Sequence, residues 1–274
     1  MSGHTTEHDL GLAHDLATLN RRRALALLGG LAVAACTPSA PGSSAPGSPT
    51  AGSSTADPST AGSSAPGLKP IPDETAGPFP ADGSNGLNVL TESGIVRSDV
   101  RSSFGAASGT AQGVPLTITL TVRDTAKGGA PYAGAAVYLW QCDGNGDYSM
   151  YSEGVVDQNY LRGVQEADGS GEVTFTSVFP GAYPSRWPHV HFEVYPNLAE
   201  ATRAGEPVAT SQLAFPKDVC DVVYAGAGYE KSVANLARMS LDSDSVFRDG
   251  HDAQLAVVTG DVASGYRATL EVPV

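Results

Sequence analysis

Residues 188–195 read PHVHFEVY and form the most strand-like stretch of the chain. Apolar residues occupy every second position from Val190 to Val194, which is the period of an extended strand. The same period directs His189 and His191 to one face. Two imidazoles placed in this way can bind one metal ion, although a lone His-x-His pair is more often a pair of ordinary strand residues.

Other segments show the same alternation. Apolar residues alternate with threonine from Leu116 to Val122 and from Val173 to Thr176, and with other residues from Tyr266 to Val272. Turns rich in glycine and proline separate these segments. We therefore predict an all-β fold, an antiparallel β-sandwich with long loops. One short surface helix is expected, from Glu230 to Ser240.

The first 36 residues predict an export signal. An arginine cluster at Arg21–Arg23 precedes an apolar run that is too short to span a bilayer, and small residues then lead to Cys36. The paired arginines indicate the twin-arginine route. The end of the run resembles a lipoprotein processing box, in which Cys36 becomes the acylated N-terminus. Cleavage by an ordinary signal peptidase near the same place is the alternative.

The remainder divides into a tether and one domain. Residues 37–68 are almost wholly Ser, Pro, Gly, Ala and Thr, so they cannot bury a core and predict a flexible linker. Residues 69–274 have the length of a single domain with a sizeable core. The formal net charge of −13 argues against nucleic acid as a partner. We expect a domain anchored by lipid at the extracellular face of the cell membrane.

Two tyrosines extend the candidate metal site. Tyr148 follows the turn Asp143–Asp147, and Tyr183 precedes the histidine pair. Phenolates are hard, anionic donors that favour a trivalent ion, and imidazole suits iron. A set made of Tyr148, Tyr183, His189 and His191 therefore selects Fe(III) over Zn(II) or Cu(I).

Several ordered segments together carry more information than any one motif. They are Thr75–Phe79, Trp140–Tyr151, Leu161–Gln165, Asp168–Gly171, Phe175, Pro180–Phe192 and Ser211–Pro216. These segments resemble the intradiol ring-cleavage dioxygenases, which include the catechol and protocatechuate dioxygenases, over about residues 71 to 274. The resemblance implies a non-haem Fe(III) enzyme. It would cleave catechol-type diols between the two hydroxylated carbons with O2, giving cis,cis-muconate-type diacids.

The resemblance also implies roles for individual residues. The iron ligands of the family match Tyr148, Tyr183, His189 and His191. Tyr183 would leave the metal and take up a proton when substrate binds. Arg186 matches an arginine that stabilises charge on the bound substrate, and Gln212 matches a glutamine near the oxygen-binding space.

The loop between the second tyrosine and the histidines departs from the familiar cytosolic enzymes. Only five residues separate Tyr183 from His189. This shorter spacing resembles the secreted actinobacterial branch of the family. It implies a more open pocket and leaves both the substrate and the oligomeric state open.

Two further patterns allow more than one interpretation. Cys142 and Cys220 form an even pair, which outside the cytoplasm favours a disulfide, with two unpaired buried thiols as the alternative. The acidic stretch Asp242–Asp244 lacks the other ligands of a calcium loop, so it predicts a solvated turn.

Two other functions remain open from the sequence. A cupin-like metal oxygenase also uses His-x-His on a β scaffold, but no glutamate follows His191 at the expected distance, and His251 lies in a turn-like segment. A non-catalytic β-sandwich lipoprotein that binds a cell-surface partner is the other alternative.

Lipidation of Cys36 is directly testable. The wild-type protein should fractionate with membranes and incorporate labelled fatty acid, because acyl chains bury hydrocarbon in the bilayer. Both properties should disappear in Cys36→Ala. Intact wild-type domain found free in the medium, with its N-terminus cut at another residue, would contradict the anchor.

Overall fold

The structure is a computed structural model that describes residues 68–274. The predicted export signal, Cys36 and all but the last residue of the tether lie outside these residues. The described strands are β1 (Pro115–Asp124), β2 (Ala130–Pro131), β3 (Ala136–Trp140), β4 (Arg162–Glu166), β5 (Glu172–Val178), β6 (His189–Tyr195), β7 (Ala209–Ala214), β8 (Val257–Asp261) and β9 (Gly265–Pro273). They form two sheets, which confirms the predicted β-sandwich.

The first sheet has the order β2, β1, β9, β8, with β5 also beside β1. Strands β1 and β5 are antiparallel and place Ile118 opposite Phe175. Strands β1 and β9 are parallel, with Ile118 opposite Ala268. The prediction of antiparallel pairing is therefore wrong for β1 and β9. Parallel neighbours need a long crossover, and here the chain between them builds the entire second sheet.

The second sheet has the order β4, β3, β6, β7, and all its pairs are antiparallel. Strand β6 lies between β3 and β7, so Trp140 is opposite His191 and His191 is opposite Gln212. Opposite residues share a face of the sheet. The histidine strand is thus a central strand, and its neighbours fix which side chains surround the imidazoles.

Two hydrophobic clusters cover the two faces of this second sheet. One lies between the sheets and joins Phe175 of the first sheet to Phe192 of the second. The other lies on the outer face, where Phe79 and Ile95 from the segment before β1 pack with Trp140. Every residue of β6 is consequently buried. Burial of one large apolar side chain contributes about 1.5–3 kcal/mol, so both faces stabilise the strand.

Three α-helices occur among the described residues, where one was expected. They are α1 (Leu198–Thr202), α2 (Lys217–Tyr224) and α3 (Glu230–Leu236). Helix α3 is the predicted helix, shorter at its C-terminal end. Helix α2 buries Cys220, Val223 and Tyr224, which have helical spacing. This helix was not predicted from the sequence, because its valines are typical of strands. No helix within residues 68–274 is long and apolar enough to cross a membrane.

The predicted disulfide is not formed. Cys142 and Cys220 are both free and buried. The Cys142 thiol belongs to the outer cluster and donates to the carbonyl oxygen of Gly181 at 3.5 Å, whereas Cys220 belongs to the cluster between the sheets. Burial raises the pKa of both thiols, which keeps them protonated and unreactive.

Thiol counting tests this correction. When the exported protein is denatured without reductant and alkylated, the peptides containing Cys142 and Cys220 should both carry the alkyl label. Labelling only after reduction would restore the disulfide.

Candidate metal centre

Four side chains from two loops and one strand converge on a single point. The Nε2 atoms of His189 and His191 are 3.0 Å apart, and the Tyr183 hydroxyl lies 3.2 Å from His189 Nε2. The Tyr148 hydroxyl lies 3.4 Å from that of Tyr183. The structure thus brings together all the metal ligands that the sequence suggested, although Tyr148 precedes Tyr183 by 35 positions.

The histidines present lone pairs to this point. His189 Nδ1 lies 2.5 Å from the carbonyl oxygen of Trp187, which can only accept, so Nδ1 carries the proton and Nε2 is free to bind a cation. Burial, reinforced by Arg186, lowers the pKa of His189 to about 3. Burial and His189 likewise lower the pKa of His191. Both rings are therefore neutral, as metal ligands must be.

The phenols need a cation to ionise. Burial, followed by the proximity of Tyr183, raises the pKa of Tyr148 well above its ordinary value. A phenolate is thus disfavoured here unless a nearby positive charge compensates it. Among the imidazoles, His191 differs from His189 in that its buried Nδ1 atom has no hydrogen-bond partner. Hard anionic donors beside two neutral imidazoles fit a trivalent iron ion.

Stacked aromatic rings and a glycine fix the orientation of His191. Its ring stacks on Trp140 with centroids 4.8 Å apart and planes 6° from parallel, and Trp140 in turn stacks on Tyr138. On the other side the backbone of Gly77 approaches closely. A Cβ at Gly77 would lie 3.4 Å from His191 Cε1, and its φ of 70° also favours glycine.

A buried arginine positions the loop that carries Tyr148. Arg162 has no solvent exposure, and its guanidinium donates to the carbonyl oxygens of Phe79, Pro80 and Ser149 at 2.9 Å. Planar guanidinium groups can satisfy several acceptors in fixed directions. Arg162 therefore ties the segment before β1 to the residue that follows Tyr148.

Arg186 and Gln212, the predicted catalytic residues that are not candidate metal ligands themselves, lie in contact with each other. Arg186 Nη2 donates to Gln212 Oε1 at 2.5 Å, and Gln212 Nε2 donates to the carbonyl oxygen of Thr75 at 2.8 Å. Both side chains are buried. The positive charge of Arg186 contributes, after burial, to the low pKa values of His189 and His191, because the guanidinium lies close to both imidazoles.

Sequence reasoning missed several buried polar groups around the site. Asp244, which the sequence placed in a solvated turn, is fully buried and accepts a hydrogen bond from Arg186. Glu74 is also buried, and burial followed by Asp249 raises its pKa to about 7. A buried Arg162 was equally unforeseen. Because surface and buried charges look alike in a sequence, no local signal distinguished them.

Across residues 68–274, no group of three or more His, Cys, Asp or Glu side chains could hold a metal ion. The cluster described above supplies two phenols and two imidazoles.

Two solved structures that share the fold of this chain are dioxygenases. The intradiol ring-cleavage dioxygenase from Tetranychus urticae is 25% identical, with a TM-score of 0.54, and covers 66% of this chain and 87% of its own. A second dioxygenase structure is 26% identical, with a TM-score of 0.55, and covers 66% of this chain and 87% of its own. The dioxygenase domain of a carbohydrate-binding fusion from Streptomyces sp. SirexAA-E is 23% identical over 75% of this chain and 98% of its own, with a TM-score of 0.49.

Among curated proteins, no sequence matches this chain. A family profile described as Dioxygenase matches residues 97–246. The matched residues are more than half of the 274-residue chain and include every candidate metal ligand. The chain belongs to the intradiol ring-cleavage dioxygenase family.

Proposed function

We propose that the protein is an exported, lipid-anchored non-haem Fe(III) enzyme that cleaves catechol-type diols with O2 to cis,cis-muconate-type diacids. The observation that carries this proposal is the convergence of two phenols and two neutral imidazoles, in which Tyr148, Tyr183, His189 and His191 follow one another at distances of 3.0–3.4 Å, beside a buried guanidinium. The family assignment argues against the cupin-like alternative.

The four converging side chains would hold the iron. When bound, a ferric ion would be chelated by the catechol and would activate the ring toward dioxygen. Two phenolates would leave such a centre with a net charge near +1, which would still attract a dianionic catecholate. The protein excludes water from the imidazole side of the site, because His189 and His191 are almost completely buried.

Tyr183 is the ligand best placed to exchange with substrate. It is only half-buried, whereas Tyr148 is almost completely buried. A cleft of about 390 Å³ borders Tyr183 and is also lined by Gly146, Lys231 and Asn235. Tyr183 therefore has open space beside it, while Tyr148 is enclosed. We infer that Tyr183, as a phenolate, accepts one proton of the incoming diol on its phenolate oxygen and becomes a neutral phenol.

Arg186 supplies the fixed positive charge. A preorganised charge stabilises negative charge that develops on a substrate, and it is more effective in a site that excludes water. Arg186 is 7% exposed and held on one side by Gln212. The site thus selects an electron-rich aromatic diol that becomes anionic on binding.

Loss of one phenol tests the ligand assignment. The purified protein should be red to burgundy from phenolate-to-iron charge transfer and hold about one iron per chain. In Tyr148→Phe, colour and iron content should fall together. Tyr151→Phe is the matched control, because the Tyr151 hydroxyl binds Asn85 and the Ala81 backbone instead. A colourless wild type with stoichiometric zinc would contradict the assignment.

Replacement of the charge tests catalysis. At matched iron loading, Arg186→Gln should retain colour but lower turnover of catechol by about a hundredfold, the scale expected when one preorganised charge is lost. Oxygen uptake and product absorbance provide the measurement. Arg203→Gln is the control, since Arg203 forms an exposed ion pair with Glu200. Equal rates would remove Arg186 from the mechanism.

The non-catalytic alternative has its own signature. An iron-loaded wild type that cleaves no catechol from a panel with varied ring substituents would favour a cell-surface binding lipoprotein.

A further inference from the structure

A fully buried carboxylate lies behind the active-site arginine. Asp244 Oδ2 accepts from Arg186 Nε at 3.0 Å and from the backbone N–H of Trp187 at 2.6 Å. Its other oxygen, Oδ1, accepts from the backbone N–H groups of Val246 at 2.8 Å and Phe247 at 3.2 Å. Both oxygens therefore have donors in directions that fix the carboxylate.

The guanidinium of Arg186 is consequently held at two points. Asp244 holds the Nε side of the fork, and Gln212 holds Nη2. A planar group bound at two separate nitrogens has a defined plane as well as a defined position. The Cζ atom of Arg186 also lies 6.0 Å from the centre of the Phe247 ring, in the segment that Asp244 organises.

The surroundings of Asp244 favour its ionised form. Burial opposes ionisation of Asp244, but Arg186 and the N–H of Trp187 outweigh it and hold the pKa of Asp244 below its ordinary value. A buried ion pair often adds little to the net free energy of folding, because the cost of desolvating both charges offsets their attraction.

We infer that Asp244 is a positioning residue that aligns the Arg186 guanidinium for the bound diol. The inference rests on the proposed function. It assigns a role to Asp244, which lies in the turn that follows helix α3 and is far in sequence from the candidate metal ligands. Arg186 follows Tyr183 by only three residues, so its charge stays near the candidate site whether or not it is aligned. Without the contact to Asp244, the guanidinium would lose its direction.

Charge and alignment make opposite predictions. Asp244 partly neutralises Arg186, so a purely electrostatic role means that removing the carboxylate strengthens the field and tightens binding of an anionic catecholate. If Asp244 aligns the guanidinium, the same change weakens binding, because the fork no longer points at the ligand. The sign of the change in affinity therefore separates the two roles.

The experiment is a double-mutant cycle on the full-length ferric protein. The variants are Asp244→Asn, Arg186→Gln and the combination of both. The probe is 4-nitrocatechol, titrated without oxygen and followed by its visible spectrum, with thermal stability and iron content measured in parallel. Asp242→Asn is the matched control, because Asp242 carries the same charge in the same turn but is exposed.

We expect Asp244→Asn to weaken binding of 4-nitrocatechol by about tenfold, the scale of one charge-assisted contact. In the Arg186→Gln background, the same substitution should have no further effect on affinity, because the inferred role of Asp244 acts through the Arg186 guanidinium. Asp242→Asn should bind as the wild type does. Tighter binding by Asp244→Asn, or independent and multiplicative losses in the double variant, would overturn the inference.

A second variant protects the test if Asp244→Asn does not fold. Arg186→Lys retains the charge but lacks the planar fork that Asp244 aligns, so it should weaken binding of the probe as Asp244→Asn does. Wild-type affinity in Arg186→Lys would also overturn the inference. The proposed function fails separately, if the wild type binds 4-nitrocatechol but cleaves no catechol in the presence of oxygen.

Discussion

The site depends on the burial of the outer face of the second sheet. Strand β6 carries His189 and His191 on that face, and the segment before β1 covers it. Arg162 fastens this cover through hydrogen bonds to Phe79, Pro80 and Ser149. Without the cover, the imidazoles would lie in water and would lack the low pKa values that burial gives them.

The polar network around the metal ligands is a second consequence of that burial. Charged groups in a dry environment need partners, and here the partners also determine direction. The chain of contacts runs from Asp244 through Arg186 and Gln212 to the carbonyl oxygen of Thr75. It joins the turn after α3, the loop between Tyr183 and His189, strand β7 and the covering segment before β1. The position of the catalytic charge is therefore a property of four separate parts of the chain.

The two candidate tyrosine ligands differ in their surroundings. Tyr148 is enclosed and has its pKa raised by burial, whereas Tyr183 borders a cleft. A ligand that must exchange with substrate needs room to move, and one that retains the metal needs none. This asymmetry follows from the shape of the loops and supports Tyr183 as the exchanging ligand.

The sequence by itself determined the local chemistry and the strands. Alternation predicted β1, β5, β6 and β9, and the ligand types indicated iron, because side-chain period and donor hardness are local properties. Only the tertiary structure decided that β1 and β9 pair in parallel, that Cys142 and Cys220 stay apart as free thiols, and that Asp244 is buried against Arg186. Each of these three features depends on which distant segments of the chain come into contact. Composition and side-chain period describe local sequence and do not predict such contacts.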